Sequence, residues 1–420
     1  MSIHAAPKGV RLHIGLFGRT NVGKSSFLNM MVGQDVAITS PVAGTTTDVV
    51  EKTMELLPVG PVVFLDTAGM DDLSVLSEQR LKKTERIFDR ADVVVLLTEP
   101  GQWGDYEDRI AREAAGQQTA LIIVVNKIDT APVGPAFLEQ LRQTSEQILC
   151  VSCIEPQRRE EFVHGFKELL IQVCPEDFLT PPSIIGDLLP PGGLAVLVVP
   201  IDLEAPKGRL ILPQVQTIRD VLDNDAMVLT VKEREYAQVY QRLNRKPDIV
   251  VCDSQVVQKM MADTPDDVAA TTFSILFARF KGDLTALARG AAVIDHLQSG
   301  DKVLIAEACS HHAIEDDIGR IKIPRWLKQY TGRRLEIHSC AGRDYPEDLQ
   351  QYRLVIHCGS CMLTRRETLA RVERARQAGV AVTNYGICIS LIQGVLKRAL
   401  QPFPAAWSAY QNEQQTQRGV

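Results

Sequence analysis

A short apolar run, Leu12, Ile14, Leu16 and Phe17, leads directly into Gly18-Arg19-Thr20-Asn21-Val22-Gly23-Lys24-Ser25, and a helix is expected from Lys24. Strand, glycine-bearing loop and helix in that order are the setting of a phosphate-binding loop. This feature commits the N-terminal part of the chain to an α/β fold. The glycines let successive backbone N–H groups turn toward phosphate oxygens, and the helix N-terminus adds positive potential. Lys24 is expected to reach the outer phosphates and Ser25 to ligate magnesium, with Gly18, Asn21, Val22, Gly23 and Ser26 completing the phosphate set.

Two further motifs follow in order. Asp66-Thr67-Ala68-Gly69 closes the apolar run Val62 to Leu65, placing Asp66 to hold magnesium from its second side. Asn126-Lys127-Ile128-Asp129 ends the run Leu121 to Val125. The Asp129 carboxylate can accept two hydrogen bonds from the N1–H and N2 amine of guanine, a pattern adenine does not offer, so GTP is the expected nucleotide. Ser152 and Cys153, after another short strand, stand where a backbone N–H contacts the guanine carbonyl.

Asn21, the stretch Gly44-Thr45-Thr46-Thr47-Asp48 and the residue after Gly69 resemble the TrmE-Era group of potassium-activated, dimerising GTPases. Small signalling GTPases carry a water-orienting Gln after the Asp-x-x-Gly motif. Met70 occupies that place here and cannot polarise water. The resemblance implies a potassium ion held by Asn21 and switch carbonyls, Thr46 as a further magnesium ligand, and catalysis carried by Lys24, Asn21, Thr46 and Gly69. Thr47 stands where many relatives carry Arg, and Glu78 is the nearest match to a downstream catalytic Glu.

A second constellation lies far along the chain: Cys309-Ser310-His311, then His357-Cys358-Gly359-Ser360-Cys361. Cys309 closes the apolar run Val303 to Ala308, and His357-Cys358 closes Leu354 to Ile356. If both runs are parallel strands of one sheet, both half-motifs emerge at its carboxyl edge, where open α/β sheets bind ligands. Thr364-x-x-Glu367 has capping-box spacing, so the Cys-x-x-Cys turn should precede a helix N-terminus, a position that stabilises thiolates. Cys340, at the end of the strand Arg334 to Ser339, is a rival ligand. Cys150, Cys153, Cys174, Cys252 and Cys388 lack spaced partners and read as small apolar residues. His4, His13, His164, His296 and His338 are expected to do no chemistry. Three thiolates with an imidazole suit zinc and an iron-sulfur cluster alike.

A TrmE-Era-like GTPase domain joined to Cys-x-His and His-Cys-x-x-Cys resembles the FeFe-hydrogenase maturation GTPases, the HydF family. The segments Asp202 to Leu210 and Phe280-Lys281-Gly282-Asp283 are also similar to that family. The resemblance implies a 4Fe-4S cluster on Cys309, Cys358 and Cys361, with an exchangeable fourth position near His311 or His357. It implies a scaffold or carrier for a transient diiron unit, with two radical-SAM maturases and the apo-hydrogenase as partners. The competing reading is a potassium-dependent tRNA-modification or ribosome-assembly GTPase with a structural zinc.

At 420 residues the chain is long enough for two or three cores. Met1 to Gly9 has no apolar signal core and no apolar run is long enough to span a bilayer, so no membrane role and a cytoplasmic location are expected. A net charge of -6 without a basic block argues against nucleic acid. The expected layout is an α/β chain: a P-loop GTPase domain over 1–174, a Pro/Gly-rich linker over 175–193, and a small α/β homodimerisation domain over 194–264. An α/β metal-cluster domain over 265–408 and a disordered polar tail over 409–420 complete it.

Overall fold

The structure, a computed structural model, describes residues 11–32, 50–57, 59–66, 84, 86–175, 178, 182–200, 210–308, 317–342 and 345–418. The chain divides into two compact units, 1–181 and 182–420.

In the first unit, β1 (Leu12–Gly18), β2 (Val50–Leu56), β3 (Gly60–Asp66), β4 (Val93–Thr98), β5 (Ala120–Val125) and β6 (Ile148–Cys150) form one sheet in the order β2-β3-β1-β4-β5-β6. Only β2 runs antiparallel, against β3. The period-2 alternation of a strand sorts side chains to two buried faces: Val93, Val95 and Leu97 of β4 join Leu12, Ile14 and Leu16 in one core, while Val94 and Leu96 join Phe17 and Phe88 in another. Chain order leaves β1 toward β3 on one side and β4 on the other. A ligand crevice is expected where strand order reverses, outside the carboxyl ends, and that point is Gly18.

The second unit has two parallel four-stranded sheets. β7 (Leu194–Val198), β8 (Met227–Val231), β9 (Ile249–Cys252) and β10 (Ala269–Thr272) run β10-β9-β7-β8, and β11 (Lys302–Ala306), β12 (Glu336–Cys340), β13 (Leu354–His357) and β14 (Ala381–Asn384) run β12-β11-β13-β14. One apolar core serves both sheets. In the second of these sheets the order reverses at β11, whose Ala306 stands opposite Cys340 on one side and His357 on the other.

Three expected boundaries are corrected. The linker to residue 193 is structured from 182 onward: Asp220 Oδ2 accepts the backbone N–H groups of Ile184, Ile185 and Gly186 at 3.1, 2.8 and 2.8 Å, and Ile184 and Ile185 are buried. A break at Thr264 would cut β10 from its sheet, since Ala269–Thr272 pairs with β9. Residues 409–418 of the expected disordered tail belong instead to the helix Pro404–Arg418, with Ala406, Ala409, Tyr410 and Gln414 buried along one side.

Candidate functional sites

In the first unit, β1 delivers Gly18 to the carboxyl edge, and the helix Lys24–Val32 starts six residues later. Asn21 adopts the left-handed region with φ 63°, and Gly23 has φ 97°. At Gly23 a side chain is also sterically barred, because a Cβ there would lie 2.2 Å from Asn126 Nδ2. The buried Lys24 ammonium donates to the carbonyls of Gly18 at 2.5 Å and Arg19 at 3.0 Å. Drawing these oxygens toward the lysine turns the N–H groups of the following residues, Arg19 and Thr20, the opposite way. Ser25 is exposed on the first turn, and Asp66 is buried at the end of β3.

Asn126 joins the motifs. Its Nδ2 donates to Val22 O at 2.8 Å, and its Oδ1 accepts from Cys153 N–H at 3.2 Å. Ser152 Oγ donates to Asp129 Oδ1 at 2.6 Å, which holds that exposed carboxylate in one orientation. Lys127, left-handed at φ 62°, pairs with Glu99 at 2.5 Å. The loop after β1, Asp129 and the Ser152-Cys153 turn therefore form one hydrogen-bonded edge. Thr46, Gly69, Met70 and Glu78 lie outside the described residues.

Sequence reasoning missed the anchor beneath the loop. Arg19 forms a two-pronged pair with Glu107, 2.7 Å at each contact, and Glu107 is fully buried. Gly18 N–H donates to the Tyr106 hydroxyl at 3.2 Å. The helix Asp105–Gly116 thus clamps the start of the loop. An acidic residue shortly after a glycine, at a helix start, is too common a signal to have singled it out.

In the second unit, Cys358 follows β13 directly. Its Sγ accepts backbone N–H groups from Ala308 at 3.1 Å and Ser360 at 3.4 Å. Burial pushes the thiol up to about 11, while these two N–H donors pull the other way by favouring thiolate. Ala308, at the end of β11, thus lies against Cys358 at the end of β13; Cys309 and His311 lie outside the described residues. Among the described residues no group of three or more His, Cys, Asp and Glu is assembled in metal-binding fashion. Thr364 and Glu367 form the expected capping box on the helix Arg365–Gln377, at 3.0 and 2.9 Å.

His357 is buried, and its Nε2 lies 3.2 Å from the Tyr345 hydroxyl. Burial first, and the Arg371 charge second, push it down to about 3 and keep it neutral. Cys340 sits half-buried at the end of β12, level with Ala306. Cys174, Cys252 and Cys388 are buried, and burial raises each thiol; Cys150 and Cys153 are half-buried.

Two further groups were not foreseen here. Lys281 is 1% exposed, and its Nζ lies 3.3, 3.0 and 2.8 Å from the carbonyl oxygens of Ser360, Cys361 and Leu363. Burial pushes it down to about 8 against the opposing pull of Cys361, Glu367 and Cys358. Glu307, also buried, meets Arg320 and the Tyr385 hydroxyl, each at 3.4 Å, over Gly319, where a Cβ would lie 2.1 Å from that hydroxyl. The available signals were, for Lys281, its place in the family-like segment Phe280-Lys281-Gly282-Asp283 at the end of a mostly apolar helix, and for Glu307, a charge interrupting the apolar run Val303 to Ala308.

Three family models match the chain: a 50S ribosome-binding GTPase over residues 13–127, the hydrogen maturase F dimerization domain over 184–282 and the hydrogen maturase F tetramerization domain over 285–402. The two maturase domains together take up just over half of the chain, in the unit that carries the cysteine turn. The chain belongs to the hydrogen maturase F family. It is a HydF-type GTPase chain, and its matched dimerization and tetramerization domains point to an assembly of several copies.

The tRNA modification GTPase MnmE of Bordetella petrii is 39% identical over 119 residues, 28% of this chain and 26% of MnmE. GTPase Der of Streptococcus pneumoniae is 31% identical over 193 residues, 42% of this chain and 43% of Der. The chain thus spans less than half the length of these curated relatives. Among solved structures, the G domain of the T. maritima FeoB iron transporter matches at 19% identity and TM-score 0.30, covering 39% of this chain and 99% of that one. A single-residue variant of Aquifex aeolicus Era bound to GDP.AlF4- matches at 16% identity and TM-score 0.32, covering 87% of this chain and 98% of that one. Among the described residues no helix is long and apolar enough to cross a membrane.

Proposed function

We propose that this chain hydrolyses GTP and serves as a scaffold that holds a 4Fe-4S cluster and carries a diiron unit, as cargo, to apo FeFe-hydrogenase, working with two radical-SAM maturases. The observation that carries the reading is the convergence at the reversal point of the last sheet, where Ala308 N–H, one residue before Cys309, donates to Cys358 Sγ at 3.1 Å. The donor set fits an iron-sulfur cluster: cysteine sulfur approached by backbone N–H donors at a parallel-sheet edge is a setting that stabilises anionic thiolates.

Cys309, Cys358 and Cys361 would hold the cluster, and one iron with an exchangeable ligand is the chemistry it would supply. His357, whose Nε2 engages Tyr345, would line the site, which leaves His311 as the candidate for the labile position. In the GTPase domain, Lys24, Ser25, Thr46 and Asp66 would serve the phosphates and magnesium, Asn21 potassium, and Asp129 the base. The fixed Asn21 backbone supports the potassium role.

The test is anaerobic reconstitution of the full chain with iron and sulfide, followed by metal analysis and EPR of the reduced protein. About four irons per chain and a 4Fe-4S signal, lost in Cys358→Ala, are expected. Stoichiometric zinc with no iron-sulfur signal would refute the reading.

A further inference from the structure

Lys281 closes a helix whose other residues are mostly apolar, Phe273 to Phe280, and its amine is enclosed by backbone oxygens. A neutral amine carries two N–H groups and an ammonium three. Three carbonyls in reach, from Ser360, Cys361 and Leu363, match the ammonium donor for acceptor. A buried cation is tolerated when it is paired or fully hydrogen-bonded, and this one is surrounded by the oxygens of a single turn.

That arrangement orients the turn. Peptide groups are planar and trans, so a carbonyl aimed at Lys281 turns the N–H of the following residue the opposite way. The peptides that follow Ser360 and Cys361 therefore present their N–H groups away from the lysine. Ser360 itself takes the left-handed φ of 51°, and its N–H already points at Cys358 Sγ. Successive N–H groups around a left-handed residue form a concavity that suits anions, including iron-sulfur centres. Arg365 reinforces the register by donating to Phe280 O at 2.7 Å, which ties the start of the next helix to the end of the lysine's own.

We propose that Lys281 is a positioning residue for the cluster-binding turn: its ammonium fixes the Ser360 to Leu363 backbone with the N–H groups of Cys361 and Met362 toward an anionic thiolate-held cluster, and places a positive charge beside it at neutral pH. The lysine belongs to the matched dimerization domain and the turn to the matched tetramerization domain, so one side chain joins the two. This rests on the reading of Cys309, Cys358 and Cys361 as cluster ligands. A fixed cation favours the more negative, reduced form of a nearby centre, so its charge raises the reduction potential.

The experiment compares full-length wild type with Lys281→Met and Lys281→Gln, each reconstituted anaerobically with iron and sulfide. Folding is read by circular dichroism, iron per chain by metal analysis, and midpoint potential by EPR-monitored redox titration. Both variants should fold and titrate at a lower potential than wild type, with Lys281→Met retaining the least iron and Lys281→Gln, which keeps donors without charge, retaining more. Complete loss of the cluster from a folded variant also supports positioning. A folded variant with wild-type iron content and potential overturns the proposal, and so does unfolding of both variants, which would make the lysine a support of the whole unit. Wild type that assembles no cluster would overturn the cluster reading itself, an outcome separate from unchanged variants.

Discussion

Asn126→Ala should loosen the GTPase domain by an amount that can be worked from two contacts. The side chain is 3% exposed and bridges Val22 O and Cys153 N–H at 2.8 and 3.2 Å. A neutral intramolecular hydrogen bond contributes about 1 kcal/mol net, and stranding a buried partner costs about 1 to 3 kcal/mol. Some of that cost is recovered because alanine leaves space that water can enter, which brings the expected loss to about 2 to 4 kcal/mol. For a unit of this size each kcal/mol moves the midpoint by about 2 to 4 °C, so a fall of roughly 5 to 15 °C is expected.

Differential scanning calorimetry of the full chain, with and without Mg-GDP, is the assay. The transition that rises with nucleotide belongs to the first unit, because a ligand stabilises only what it binds. Asn126→Asp separates the two bonds: it keeps the acceptor for Cys153 N–H but sets a carboxylate oxygen against Val22 O, and should cost at least as much as alanine. If Asn126→Ala moves the nucleotide-sensitive transition by less than about 0.5 kcal/mol, the range of an ordinary surface change, the bridging role is refuted.

Asp129→Asn should shift preference from guanosine to xanthosine triphosphate, since the amide replaces an acceptor with a donor; unchanged preference in a competition assay would remove Asp129 from base reading. GTP turnover should be slow, magnesium-dependent and faster in potassium than in sodium, and equal rates in the two salts would remove the potassium role of Asn21. The cluster-free second unit should lose stability as pH falls below about 6.5. Folded His357 takes a proton only at about 3, against an ordinary value of 6.5, so the unfolded chain binds that proton first. The stabilisation is full above the unfolded value and declines toward the folded one, by up to about 1.4 kcal/mol per pH unit. In urea unfolding between pH 7 and 5, His357→Phe should flatten this slope; an unchanged slope would show that another group carries it.

Elements whose own residues declare their environment were legible. The runs Leu194 to Ile201 and Ile249 to Val251 contain strands or are part of them because parallel strands, covered on both faces, need apolar side chains on both, while Met227 to Val231 is an edge strand whose apolar residues are only partly covered. β10 escaped notice because Ala-Ala-Thr-Thr shows no bulky run, although Ala270, Thr271 and Thr272 are buried by what packs on them. The C-terminal helix escaped for the opposite reason. Its composition is polar, and its packing stripe of Ala406, Ala409, Tyr410 and Gln414 is apolar only in part, with Gln414 buried by bonding to Asp295 and Tyr410. Residues 182 to 189 read as a Pro/Gly linker because their capping carboxylate, Asp220, is more than thirty positions away.

The same contrast separates the two sites. At the phosphate loop a lysine draws two loop carbonyls inward, turning the N–H groups that follow them the other way, and Lys24 lies six and five residues from the oxygens it binds. The whole device therefore fits inside an eight-residue motif and can be read from it. At the cysteine turn Lys281 does the same to three carbonyls, but from 79 to 82 residues away. The thiols are visible in the sequence as a spaced pair, whereas the lysine that meets their backbone appears only as one of two basic residues ending a mostly apolar helix, with nothing local to say what it binds. A local motif thus identifies the atoms that touch the ligand, and the fold decides which distant charge holds them in place. On the proposed reading, a protein carrying His-Cys-x-x-Cys without a lysine reaching this turn would have the ligands but not the oriented backbone, and any cluster it held should titrate at a lower potential than one held here.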